Sequence, residues 1–324
     1  MKKLILRCSY VFVITLTSAA LHGQENNKQS STSNLDIEND LFDAKALMQR
    51  VKFLSLDSLE GRKTGERGNL IARNYIIALF KKYDIDPFSN NYLQPFSFKN
   101  RRDNKTYQAA NILGLIRGSQ YPEKYIVLSA HYDHVGIING TIYNGADDDA
   151  SGVSALFALI EYLNKNPLKY SVIIAAFDAE ELGLKGAQHF LKSFPQAKEN
   201  ILLNMNLDML GRNDDNQLFV VGANLHKKLK PLINELKLPE NFYLLSGHDG
   251  TDKKQNWTYS SDHGIFHKSN IPFLYNDLLW RWFCFNSGLH GGHVRRQRTR
   301  SYSWLYSNCM GYGWIGWPNN DRLC

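Results

Sequence analysis

From Asn111 onward the chain alternates short, continuous apolar runs with longer segments of helical period, and this alternation limits its architecture more than any other feature. "NILGLIRG", "KYIVLSAHYD", "YSVIIAAFDAEE", "ENILLNMNLDML" and "NQLFVVGA" are rich in Val, Ile and Leu and bounded by polar residues. Such runs suit strands buried on both faces. Between them, "SGVSALFALIEYLNKN" sets Val153, Leu156, Phe157, Ile160 and Leu163 on one helical face, with Asp149 or Ser151 as candidate N-cap. "GLKGAQHFLKSF" and "LHKKLKPLINELK" also have helical spacing. Two earlier helices are predicted over 41–56 and 68–82, separated by the polar loop "LEGRKTGERGN". The expected fold is α/β, with a mostly parallel central sheet flanked by helices on both faces.

In such sheets, ligands gather beyond the carboxyl ends of the strands. "YIVLSAHYD" ends in His131 and Asp133, "SVIIAAFDAEE" in Glu180 and Glu181, and "NILLNMNLDML" in Asp208. "NGADDDASG" adds Asp147, Asp148 and Asp149 from a loop. Taken singly, each has an ordinary reading: a hydrogen-bonded His-Asp pair, a solvated or calcium-binding turn, an exposed acidic surface, a strand-end turn. Together at one rim, these carboxylates repel unless something positive lies among them. Imidazole with carboxylate suits zinc, and a shared carboxylate holds two zinc ions about 3.5–4 Å apart.

These blocks, "AHYDHVG", "NGADDDASG", "DAEELGLKG" and "NLDMLGR" in that order, resemble the co-catalytic zinc aminopeptidase family. That family includes bacterial leucyl aminopeptidases and aminopeptidase Y, with glutamate carboxypeptidases and glutaminyl cyclases as relatives. "LEGRKTGERGN" resembles its entry segment, and the match runs from about Leu41 to Tyr275. The resemblance implies a zinc-exopeptidase-like domain over 41–275, with N-terminal helices over 41–82 and a catalytic core over 108–275. It implies that His131 and Glu181 bind one zinc, that Asp208 binds the other, and that Asp148 bridges both. It also implies that Asp133 orients His131, that Glu180 is the general base, and that the Asp148–Asp149 peptide is cis. Peptides are the implied substrates.

The family pattern also calls for a histidine on the second zinc, about a dozen residues past the "SDHGIFHKSNIPFLY" type of segment. Here the composition changes after Tyr275: residues 276–324 hold five of the six Trp and three of the four Cys. His290 and His293 stand near the expected position without the expected neighbours, and His263 and His267 precede it. This atypical tail has the character of a reading-frame disruption near Tyr275 that replaces the last strand, the fifth ligand and a closing helix; divergence is the other reading. On that pattern the second zinc keeps only Asp148, Asp208 and water. The alternatives to an active aminopeptidase are therefore a catalytically impaired metal- or peptide-binding member, a glutaminyl cyclase, and a carboxypeptidase-like relative.

The net charge of +7 does not indicate a nucleic-acid groove, because it sits at the ends. Lys2, Lys3 and Arg7 at one end, and six arginines against two aspartates beyond Tyr275 at the other, leave the middle neutral. A nucleic-acid site needs a basic stripe on the folded core. "MKKLILR" followed by the apolar "CSYVFVITLTSAA" predicts a signal peptide over 1–23, and residues 24–40 a flexible leader. The apolar run is short for a membrane span, so a secreted or periplasmic protein is expected, with no span after cleavage. An uncut signal anchor is the competing reading. Removing Cys8 with the signal leaves Cys284, Cys309 and Cys324, an odd set that specifies no disulfide framework.

Overall fold

The computed structural model describes residues 42–277, apart from 89, 212–216, 235–242, 252 and 254. The expected signal peptide and leader, and the tail beyond residue 277 with His290 and His293, lie outside the described residues.

The chain opens with helices α1 (Ala44–Leu54) and α2 (Arg67–Lys82), joined by a short turn that contains Arg62. Strands β1 (Asp86–Pro87), β2 (Leu93–Lys99), β3 (Thr106–Ile116) and β4 (Tyr121–His131) follow, then the small hairpin of β5 (Gly136–Ile138) and β6 (Thr141–Tyr143). Next come α3 (Gly152–Lys165), β7 (Tyr170–Phe177), α4 (Lys185–Lys192), β8 (Ile201–Leu207) and β9 (Gln217–Val221). The described residues finish with α5 (Lys230–Asn234), β10 (Tyr243–Ser246), α6 (His263–Lys268) and β11 (Phe273–Asp277).

Apart from the hairpin, the strands form one sheet in the order β1-β3-β7-β4-β8-β11-β9-β10, with β2 also paired to β3. Its centre, β7-β4-β8-β11, is parallel. Antiparallel pairs β3–β7 and β11–β9 flank that centre. Alternation along the strands fills both faces, because successive side chains point to opposite sides. Ile126 and Leu128 of β4 and Val172 and Ile174 of β7 join α1, α2 and α3 in one core. Val127, Ile173 and Phe177 face the other way and pack with Phe190 of α4 and Phe266 of α6. The architecture is thus the expected α/β sheet between two helical layers.

Some elements differ from the sequence expectation. β2, where the sequence pattern predicts no element, is a strand of alternating exposure paired to β3. Of the described residues of "LHKKLKPLINELK", Lys230–Asn234 are α-helical and those before them are not. β11 continues to Asp277 and pairs with both β8 and β9. The strand and helix expected to be replaced beyond Tyr275 lie outside the described residues.

Candidate metal centre

The three strands that end in candidate ligands are neighbours in the order β7-β4-β8, and they run parallel. Their carboxyl ends therefore share one edge. On β8 the period of two sends Leu203, Met205 and Leu207 into one core, and puts Asn204, Asn206 and Asp208 on the opposite face. Asn206 accepts from Ser129 of β4 at 2.7 Å and donates to Ser261 at 2.8 Å. This buried bridge ties the segment carrying Asp262 to the same rim.

The three adjacent aspartates do three different things. Asp147 accepts the Gly211 N–H at 2.6 Å, tying the loop to the segment after β8. Asp149 accepts from Gly152 N at 2.9 Å, which caps α3, and from His131 N at 3.2 Å and Met209 N at 3.3 Å. Of the two candidate caps, Asp149 makes the bond and Ser151 does not. Asp148 faces two histidines. Its Oδ1 lies 3.0 Å from His131 Nε2, and its Oδ2 lies 3.7 Å from His134 Nδ1. The Asp148–Asp149 peptide is cis, as expected.

Two donor groups share Asp148. His131, Asp148 and Asp208 form one, with His131 Nε2 3.6 Å from Asp208 Oδ1. His134, Asp148 and Glu181 form the other, with His134 Nδ1 2.8 Å from Glu181 Oε1. Ligands about 2.0–2.1 Å from a tetrahedral zinc stand about 3.3 Å apart, so these spacings are of the right size. The pairing differs from the one expected, which put His131 with Glu181 and Asp208 apart. β4 lies between β7 and β8, so the segment at its end has acids on both sides: His131 is turned to Asp208 after β8, and His134, three residues on, to Glu181 after β7.

Arg62 is an anchor that sequence reasoning missed. Its buried guanidinium donates to the carbonyls of Tyr132, Leu54, Asn144, Gly145 and Asp148. It thereby holds the loop that carries Asp148. Burial lowers its pKa to about 10, against the pull of Asp148, Asp149, Asp133 and Glu181. The signal was present in "LEGRKTGERGN", but a polar loop gives no indication that its arginine turns inward.

Asp133 positions the base. Its carboxylate accepts Glu180 N at 3.0 Å and Glu181 N at 3.3 Å. It is the Asp133 carbonyl, at 3.1 Å, that meets His131 Nδ1, while the carboxylate stands 3.6 Å away. A carbonyl only accepts, so Nδ1 keeps its proton and donates to it, and Nε2 is the nitrogen placed to bind a metal. The adjacent Asp178, satisfied by Thr64, Asn69, Tyr132 and the Ala110 and Ala179 N–H groups, is a structural tie rather than a candidate ligand.

The electrostatics call for a cation. Desolvation raises Glu180 well above the ordinary carboxylate value; His131 opposes this, and Asp262, Asp208 and Glu181 add to it. Burial raises Asp262 to about 8, and neither of its carboxylate oxygens has a hydrogen-bond partner. For Asp148, burial works upward, yet the hydrogen bond and charge of His131, then His134 and Arg62, bring it to about 2. Asp262 carries no signal of this burial in "SDHGIF", where it is one polar residue in a polar stretch. The histidines that follow it lie elsewhere: His263 is stacked on Tyr275 and Phe273, and His267 stands against Phe273. Neither belongs to a donor group among the described residues.

The sequence model of peptidase family M28 matches residues 111–302. Over 170 residues the chain is 28% identical to a protein of Leptosphaeria maculans named "Probable zinc metalloprotease", covering 50% of this chain and 39% of that one. It is 29% identical over 185 residues to aminopeptidase YwaD of Bacillus subtilis, covering 54% of this chain and 37% of that one. The chain thus spans less than half the length of these curated relatives. Among solved structures, BSAP, a zinc aminopeptidase from Bacillus subtilis, superposes with a TM-score of 0.57 at 16% identity, over 72% of this chain and 85% of that one. The glutaminyl cyclase of Porphyromonas gingivalis superposes at 0.58 and 19% identity, over 73% and 83%. At these identities, what is shared is the fold.

Proposed function

Because the chain belongs to peptidase family M28, we propose that it is an exported, zinc-dependent exopeptidase that removes N-terminal residues from peptides. The observation that carries this reading is the pair of donor groups sharing Asp148 at the carboxyl rim of β4, β7 and β8. The names of the aminopeptidase relatives support the N-terminal direction of cleavage. The basic and apolar N-terminal segment supports export, and no helix among the described residues is long and apolar enough to cross a membrane.

His131, Asp148 and Asp208 would hold one ion, and Asp148 with Glu181 would hold a second. Zinc bound there would supply a water that ionises near neutral pH and a positive charge against the scissile carbonyl. The remaining work belongs to side chains. Glu180, with its raised proton affinity, takes the proton of the attacking water as that oxygen adds to the carbonyl carbon. It then passes the proton to the departing nitrogen, so that the C–N bond breaks and a neutral amine leaves. Asp133 keeps this carboxylate on station by accepting the Glu180 N–H. Asp148 would share its two oxygens between the ions, on a loop held by the Arg62 guanidinium.

Glu180→Gln tests the assignment. The variant is expected to retain the zinc content of the parent and lose about 10²–10⁴-fold in hydrolysis of aminoacyl amides. Hydrolysis at the parent rate would remove Glu180 from its role. Glutaminyl cyclisation is the second reading, favoured by the fold shared with the Porphyromonas gingivalis enzyme. One zinc per chain with cyclisation of N-terminal glutamine would select it. Zinc uptake without turnover on either substrate would select an impaired binding protein.

A further inference from the structure

We propose that His134 is the nitrogen ligand of the second metal position, completing with Asp148 and Glu181 the donor set that sequence reasoning left without its fifth member. The inference rests on reading the rim as a two-metal site, and concerns which side chain of this chain supplies the missing imidazole.

Asp148 divides its two oxygens between two histidines. Oδ1 is turned to His131 Nε2 at 3.0 Å, and Oδ2 to His134 Nδ1 at 3.7 Å. That is the arrangement of a carboxylate bridging two ions, each with its own imidazole. Around the second position, His134 Nδ1 and Glu181 Oε1 form a close pair at 2.8 Å, and with Asp148 they make a compact set of three ligand atoms. Two carboxylates this close repel unless positive charge lies among them. A divalent cation seated there would supply that charge, with the imidazole neutral and both carboxylates ionised.

The His134 ring is seated by the fold. Its backbone N–H reaches the Arg62 carbonyl at 3.4 Å. Gly145 gives the ring its room. With φ at +55°, a Cβ built there would lie 2.7 Å from His134 Cδ2 and 2.7 Å from the Arg62 guanidinium. A side chain at 145 would collide with both groups, so the glycine that opens "GADDDASG" keeps the place for this imidazole. The His134 side chain is 11% exposed, on a rim already rich in carboxylates.

The test is metal binding by the full-length chain, stripped by a chelator and then titrated with Zn²⁺ and, separately, with Co²⁺. The parent is expected to take up two ions per chain. His134→Ala should take up one tightly and bind the second more than about 100-fold more weakly, since even residues that only support a ligand cost 10–100-fold. In the cobalt titration the visible absorption of the second equivalent should disappear. His134→Gly should regain the second ion when free imidazole is added, which separates ligand loss from misfolding. His131→Ala should lose the other ion instead. The proposal is overturned if His134→Ala binds two ions with parental affinity, if the parent binds only one, or if His290→Ala or His293→Ala removes the second ion while His134→Ala does not. A parent that binds no ion, with His131→Ala indistinguishable from it, overturns the metal-site reading as a whole.

Discussion

The chain contains two Asp-His pairs next to buried strands, Asp133–His134 after β4 and Asp262–His263 at the start of α6, and the fold uses them in opposite senses. In the first, the aspartate is satisfied by the Glu180 and Glu181 N–H groups, and the histidine faces carboxylates. In the second, the aspartate is unsatisfied beside the acidic rim, and the histidine is enclosed by aromatic rings. His263 stacks on Tyr275 with centroids 4.2 Å apart, and its Nε2 meets the Trp257 carbonyl at 2.9 Å. Burial therefore does not decide what an imidazole does; the charge of its neighbours does. His131, equally sealed, is pushed down by burial but lifted well above its ordinary value by Asp208, Asp133 and Asp148. His263 has no such partners, and burial brings it to about 3.

If the rim owes its character to a shared cation, the largest effect comes from removing the residue both donor groups share. Asp148→Ala is expected to weaken both metal positions and to bring hydrolysis below what Glu180→Gln retains. Metal content and aminoacyl-amide turnover on the same preparations check this. Full metal content in Asp148→Ala would erase the contrast between the two regions.

The next effect is on stability. Arg62 supplies fixed positive charge against Asp148 and Asp149 and satisfies five backbone carbonyls. Removing one partner from a buried charged network costs about 3–5 kcal/mol. Arg62→Met should lose that much in urea denaturation of the metal-free chain. A loss under about 1 kcal/mol would show that the loop carrying Asp148 holds its shape without the guanidinium.

How far the sequence reached follows the same line. Apolar runs and helical spacing identified β4, β7, β8 and β9 and the helices α1 to α4, because their burial is written in local periodicity. The strand-end rule singled out His131, Glu181 and Asp208 as candidates, and the acidic loop added Asp148; the structure brings all four to one rim. The rule could not pair them, because pairing depends on sheet order, and β7-β4-β8 is not chain order. His134 was visible in "AHYDHVG", yet nothing local separates its dipeptide from that in "SDHGIF". Arg62 and Asp262 were hidden for a related reason: each is a polar residue in a polar stretch, and only tertiary packing turns it inward.

The smallest effect belongs to the aromatic pocket, and its sign follows from linkage. His263 stays neutral in the folded chain down to about 3, whereas in the unfolded chain it takes a proton below its ordinary value of 6.5. Above 6.5 both states are neutral and the group contributes no pH dependence. As pH falls from 6.5 towards 3, the unfolded state gains a proton that the folded state does not, so stability is lost with acid. At pH 5.0 the loss is about 2 kcal/mol, at 1.36 kcal/mol per pH unit. His263→Phe keeps a flat ring between Phe273 and Tyr275 but forgoes the bond to Trp257, a pH-independent cost of about 1 kcal/mol that leaves it less stable than the parent at pH 7.5. Its penalty on going from pH 7.5 to 5.0 should nonetheless be about 2 kcal/mol smaller than that of the parent, when both are unfolded by urea in the metal-free form. Equal penalties would mean that His263 is protonated in the folded chain, and the contrast between an aromatic enclosure and an acidic one would no longer account for the two histidines.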